Sequence, residues 1–345
     1  MTTNNKLSCF SIVLCMGLLT SAVSSLALAN SNTTAKAPHM QPITKKEMNL
    51  ENTGAQRPVK LDLWYKTDNC PKQNNATLCD AKKQQSTNIA ILSHGAMGAA
   101  IDYSWLAYPL AAKGWTVIGM NHYGESWRYG QKNIDPSTVT RFWQRTEDIS
   151  FVIDSLGSIL PSYSNEQSHN IVVIGHSSGG QTAAALAGVT MSFEQMSEYC
   201  QSERSTGDLG CTYAKKGVAH APSSHAQLKR SSVDKRINRI IMLDPALGPA
   251  ATVDSLSQVS IPSLVVGSLN NDFLPFEHHA KYYAAHMPQS QLVTLDQNEG
   301  HFVYLNKCDH QHKAQSVSLC EDRKGVNREQ VHRQLIGRVF AFLAQ

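Results

Sequence analysis

The chain has 345 residues, 41% of them hydrophobic, and 31 Lys+Arg against 27 Asp+Glu give a formal net charge of +4. That mild balance, with no long run of Lys or Arg, excludes nucleic acid as an expected partner. The length suits one large α/β domain or two small ones, and either could bury a full core.

Residues 1–29 read as a secretory signal. Lys6 precedes an apolar run from Phe10 to Leu19, and a small-residue stretch ends in Ala27-Leu28-Ala29, the form of an export signal with its cleavage site. The apolar core is too short to span a bilayer, and Cys15 has no convincing lipoprotein context. An exported protein is expected, periplasmic or secreted, with no stable membrane span after signal removal. Cysteine usage agrees with export. Of eight cysteines, Cys9 and Cys15 leave with the signal. The rest fall into close pairs, Cys70 with Cys79, Cys200 with Cys211 and Cys308 with Cys320. Outside the cytosol this reads as three local disulfides. A metal cluster at Cys308, His310 and His312 is set aside because Cys320 offers Cys308 a simpler partner, so no metal is expected.

Residues 30–57 are polar and without period, and read as a loose N-terminal arm ahead of a folded domain over 58–345. Residues 59–65 alternate as a half-exposed strand does, and 67–87 form a loop stapled by Cys70 and Cys79. A buried strand at 88–93 ends in His94-Gly95-Ala96-Met97-Gly98. A helix over 103–113 is stopped by Gly114. A third strand covers 115–120, and a long helix falls within 135–158.

Residues 171–174, Ile-Val-Val-Ile, read as a strand buried on both faces. Gly175-His176-Ser177-Ser178-Gly179-Gly180 follows at once, then good helix formers over 181–187. Next comes a polar insertion, 190–236, which forms part of a lid, one wall of a substrate cleft, or a surface decoration. Strands at 239–244, 263–267 and 291–295 alternate with a helix over 275–286, where His278, His279 and His286 read as a solvated face. An amphipathic helix over 328–343 closes the chain. Strands alternating with helices imply right-handed crossovers and a mostly parallel sheet.

Strand, Gly-x-Ser-x-Gly and helix form the context of a nucleophile elbow, with Ser177 at its tip. A serine hydroxyl needs a base, an orienting acid and fixed donors for the oxyanion. In this chain order, acid and histidine follow the serine at the ends of later strands. Asp272 and His301 fill those places, because loops at the carboxyl ends of strands meet at one sheet edge. Asp244, which also ends a buried strand, is the alternative acid. Glu299 lies too close along the chain to orient His301. The oxyanion donors are the amides of Ser178 and Ala96, with Met97 as fallback for Ala96. His94 reads as structural. Tyr103, Trp105, Tyr123, Trp127 and Trp143 fall near the same edge, as lining or as core.

Gly-His-Ser-Ser-Gly-Gly, the His-Gly loop, Asn-Asn-Asp-Phe-Leu-Pro and Glu-Gly-His-Phe together resemble the α/β-hydrolase superfamily. The nearest branch groups bacterial predicted dienelactone hydrolases with platelet-activating-factor acetylhydrolase-like and polyester-hydrolase-like lipases. The likeness covers about residues 59–343. It implies an α/β-hydrolase fold with a core sheet of about eight strands flanked by helices, no cofactor, and hydrolysis of carboxylic esters. Dienelactone hydrolases proper use cysteine where this chain has Ser177. The acetylhydrolase relatives favour Asp244 as acid, the polyester hydrolases Asp272. The insertion and the Cys308–Cys320 loop have no counterpart.

The expectation is thus an exported serine esterase acting on small-molecule or lipid esters of short or modest acyl length. A peptidase or amidase on the same scaffold and an inactive binding protein are the alternatives. The oligomeric state is left open.

Overall fold

The backbone divides at one central strand, and the site lies at the end of it. The computed structural model describes residues 42–66, 87–160, 163, 168–212, 231–309 and 311–345. The expected signal and residues 213–230 of the insertion lie outside the described residues.

Eight strands form one sheet. They are β1 (Ile43–Asn52), β2 (Arg57–Lys66), β3 (Asn88–Ser93), β4 (Thr116–Asn121), β5 (Asn170–His176), β6 (Ile237–Leu243), β7 (Ser263–Ser268) and β8 (Ser290–Leu295), in the order β1-β2-β4-β3-β5-β6-β7-β8. From β4 to β8 every neighbouring pair is parallel, while β2 runs antiparallel to β1 and β4. The fold is therefore α/β with a mostly parallel sheet. Strand order reverses direction beside β3 and β5, which opens a crevice at their carboxyl ends.

Helices cover both faces. The main ones are α1 (Ser104–Ala112), α2 (Phe142–Asp154), α3 (Ser178–Leu186), α4 (Phe193–Gln201), α5 (Ala280–His286) and α6 (Arg328–Leu343). Alternate strand residues feed two separate cores, as a period of two requires. Ile171 and Val173 join Ile149, Val152 and Ala184 on one side. Val172 and Ile174 join Leu106, Leu335 and Val339 on the other. Both faces of β5 are thus covered, which is why its sequence is an unbroken apolar run.

Several local expectations change. Residues 43–52, within the expected arm, are strand β1, an edge strand whose side chains are mostly half-buried or exposed. Residues 59 and 61–65 of β2 are buried and Lys60 alone among 59–65 is half-buried, because the apolar side chains of β2 pack into the cores on both sheet faces. The expected long helix at 135–158 begins as a 3-10 turn, Pro136–Thr140, before α2. The insertion contains α4, N-capped by Ser192, whose hydroxyl accepts the Gln195 amide at 3.2 Å.

Of the three expected disulfides, two are formed among the described residues, joining Cys200 to Cys211 and Cys308 to Cys320. The third, between Cys70 and Cys79, lies outside the described residues, because both Cys70 and Cys79 fall within 67–86. The Cys308–Cys320 bond closes a loop that carries a small hairpin of β9 (Lys313–Ala314) and β10 (Val317–Ser318). Among the described residues no helix is long and apolar enough to cross a membrane.

Candidate active site

Strand β5 ends at His176 and α3 begins at Ser178, so the whole turn falls on Ser177. Its φ of 55° and ψ of −119° are costly for a residue with a Cβ, on the order of 1–3 kcal/mol. Three backbone bonds hold it there. The Ser177 amide donates to Leu243 O at 3.0 Å, and its carbonyl accepts from Gln181 N at 3.2 Å and Ala246 N at 3.0 Å. Glycines make the turn possible. A Cβ on Gly175 would stand 2.0 Å from Gly179 O, and one on Gly179 would stand 1.9 Å from Ser93 O. The Ser177 side chain makes no capping bond to α3, so its hydroxyl is not spent on the helix.

The loop after β3 lies against this turn. A Cβ on Gly95 would meet Ser177 Cβ at 3.2 Å, and the Gly98 amide closes a turn onto Gly95 O at 3.1 Å. Met97 sits in the left-handed region at φ 62°. Neither the Ala96 nor the Ser178 amide donates to a backbone acceptor among the described residues. Ser178 is the first residue of α3, where no intrahelical acceptor exists.

A buried polar network supports the loop from behind. Arg145 donates to Glu125 Oε2 at 2.7 Å, to Thr182 Oγ1 at 3.0 Å and to the His94 carbonyl. His94 Nδ1 bonds Gly95 O at 2.6 Å, and its Nε2 accepts the His122 amide at 3.0 Å. His122 Nδ1 in turn meets Asp148, which Arg57 grips through two nitrogens, each at 3.1 Å. Burial holds the His94 and His122 imidazoles well below their ordinary range, and the Arg145 charge adds to this. Both rings are therefore neutral and His94 has a structural place.

His301 opens a short 3-10 turn after β8 and is 1% exposed. Phe273 stacks on its ring, centroids 5.1 Å apart and planes 14° apart. Sequence grounds favour Asp272 as the acid, but its Oδ1 accepts the His301 backbone amide at 2.9 Å. Gly300 allows that approach, since a Cβ there would stand 2.6 Å from Asp272 Oδ2. The carboxylate facing the ring belongs to Asp244, with Oδ2 3.7 Å from His301 Nδ1. Asp244 Oδ1 accepts the Ser268 amide at 2.8 Å, which fixes the carboxylate from β7. Glu299 turns away and accepts the Gln297 amide at 2.9 Å.

Ser177, Ser178, Ala96, Met97 and His301 line one cavity of about 810 Å³. Much of the remaining lining is apolar, from Phe142, Met191, Phe193, Met196, Leu247 and Phe302. Tyr103 and Trp127 reach it, whereas Trp105 stacks on His332 and Trp143 packs in the core. From the insertion come Met191, Ser192, Phe193, Met196 and Gly210, so part of that segment is a cavity wall.

A second histidine–carboxylate pair lies in the same wall. His279 is 1% exposed, contrary to the solvated face expected of it, and its Nε2 is 2.8 Å from Asp208 Oδ2. Its Nδ1 accepts the Gly248 amide at 3.4 Å, so both ring nitrogens are occupied and neither is left for a serine. Sequence reasoning missed Asp208, Arg145 and the part played by His176. Arg145 left one sign, since it precedes Ile149 and Val152 by four and seven residues, on the face that α2 buries.

Among the described residues no group of three or more His, Cys, Asp or Glu could hold a metal ion. No family model matches the chain, and no curated protein matches it in sequence.

Proposed function

We propose that the chain is an exported serine hydrolase of carboxylic esters, built on an α/β-hydrolase fold. One observation carries this reading. Ser177 in its strained turn, His301, Ala96 and Ser178 line a single cavity, with the Asp244 carboxylate 3.7 Å from His301 Nδ1. The eight-stranded sheet with the serine on the turn after its central strand is consistent with that fold. The two described disulfides fit an oxidising compartment.

His301 Nε2 takes the Ser177 proton as Oγ attacks the ester carbonyl carbon. The Ala96 and Ser178 amides hold the resulting oxyanion. The tetrahedral intermediate collapses, and the imidazolium returns its proton to the departing alkoxide. Water then attacks the acyl-enzyme with His301 again as base, releasing the acid and restoring Ser177. Asp244 accepts from Nδ1–H throughout and stabilises the imidazolium. Asp272 instead fixes the His301 backbone.

The apolar lining favours a neutral ester with an apolar acyl group, and the volume lies within the range of small-molecule sites. A nitrophenyl butyrate or octanoate assay on purified protein tests the reading. Ser177→Ala lowers kcat by about six orders of magnitude with folding intact. Turnover that survives this change rejects the mechanism, and faster cleavage of a matched amide than of the ester favours an amidase.

A further inference from the structure

Three hydrogen bonds link the loop after β3 to the backbone of His301, and their direction can be worked out. The Gly95 amide donates to the Tyr103 hydroxyl oxygen at 3.1 Å. The Tyr103 hydroxyl lies 2.9 Å from His176 Nδ1, and His176 Nε2 lies 2.9 Å from the His301 carbonyl oxygen. A carbonyl only accepts, so Nε2 carries the hydrogen. Burial keeps the His176 ring neutral, which leaves Nδ1 bare. Tyr103 must therefore donate its O–H to Nδ1 and accept from Gly95 N–H. Each link uses the only role its atom has left, and Gly95, Tyr103, His176 and His301 are all buried.

The sequence positions of these groups give the chain of bonds its meaning. Gly95 immediately precedes Ala96, His176 immediately precedes Ser177, and the last acceptor is the peptide of His301 itself. We propose that Tyr103 and His176 are positioning residues. They tie the oxyanion loop to the histidine backbone, so that donors, nucleophile and base keep one mutual geometry. This rests on the serine-hydrolase reading above. The backbone of His301 is then held at both ends, its amide by Asp272 and its carbonyl by His176. A ring held in this way loses little entropy on reaching the transition state.

Tyr103→Phe keeps the ring and deletes the hydroxyl alone. Misalignment of about 1 Å costs up to about a hundredfold, so kcat on a nitrophenyl ester falls about 10- to 100-fold while KM stays within about twofold. An unchanged kcat, or a loss confined to KM, overturns the proposal while leaving the hydrolase reading intact. Wild-type protein that neither cleaves the ester nor reacts with a fluorophosphonate overturns that reading instead. If Tyr103→Phe does not fold, nitrogen-15 NMR of wild-type His176 decides. An Nε2–H tautomer with a hydrogen-bonded Nδ1 supports the relay, and an Nδ1–H tautomer or a charged ring overturns it.

Discussion

Asp244 Oδ2 and His301 Nδ1 face each other at 3.7 Å, both buried, and neither has a hydrogen-bond partner among the described residues. Two unsatisfied buried polar atoms in mutual reach are costly unless they serve one another.

Asparagine at each position separates the two carboxylates. Asp244→Asn offers His301 the wrong partner and lowers kcat by about four orders of magnitude. Asp272→Asn retains an oxygen that can accept the His301 amide, so its loss stays within about tenfold. Steady-state kinetics on both variants makes the comparison, and the opposite ranking returns the acid role to Asp272.

The same pair sets the pH dependence. Burial pushes the Asp244 carboxyl up to about 7. Burial also draws the His301 imidazole down to about 3, against the nearby Asp272 charge, which raises it. Catalysis needs a neutral imidazole beside a carboxylate, the form that remains once the pair has lost its last proton. The kcat/KM value therefore rises with pH through an apparent midpoint near 7 and falls away in acid. A profile flat from pH 5 to 8, a range chosen to bracket the ordinary pKa of histidine, about 6.5, contradicts this.

The elbow was legible because four branched apolar residues run directly into Gly-x-Ser-x-Gly, and each part constrains its neighbour. The acid was not. Asp244 and Asp272 both follow strand ends, and nothing in one dimension says which side chain reaches the ring and which the backbone. Strand β1 was hidden because an edge strand needs no apolar face. His279 looked solvated because the loop that buries it, bearing Asp208 and stapled by Cys200–Cys211, is distant in sequence.

The glycines of the elbow tolerate no side chain. Gly179→Ala places a Cβ 1.9 Å from Ser93 O, a backbone atom of β3 that cannot move without the sheet. The variant loses roughly 4 kcal/mol or more, measured as a collapse in denaturation midpoint or as failure to express in soluble form.

The two described disulfides should be worth a measurable share of stability. They close loops of sequence separation 11 and 12, and each stabilises by about 2–3 kcal/mol. Reduction under native conditions lowers the melting temperature. It also slows ester turnover, because Cys308 and the hairpin beyond it line the cavity. A thermal scan with and without reductant reads the first effect, and a parallel assay reads the second.

Reaction with a fluorophosphonate, followed by peptide mapping, tests the central claim most directly. The account predicts one covalent adduct, on the Ser177 oxygen, that fails to form in His301→Ala. An adduct at another residue, or none on folded wild-type protein, would contradict it.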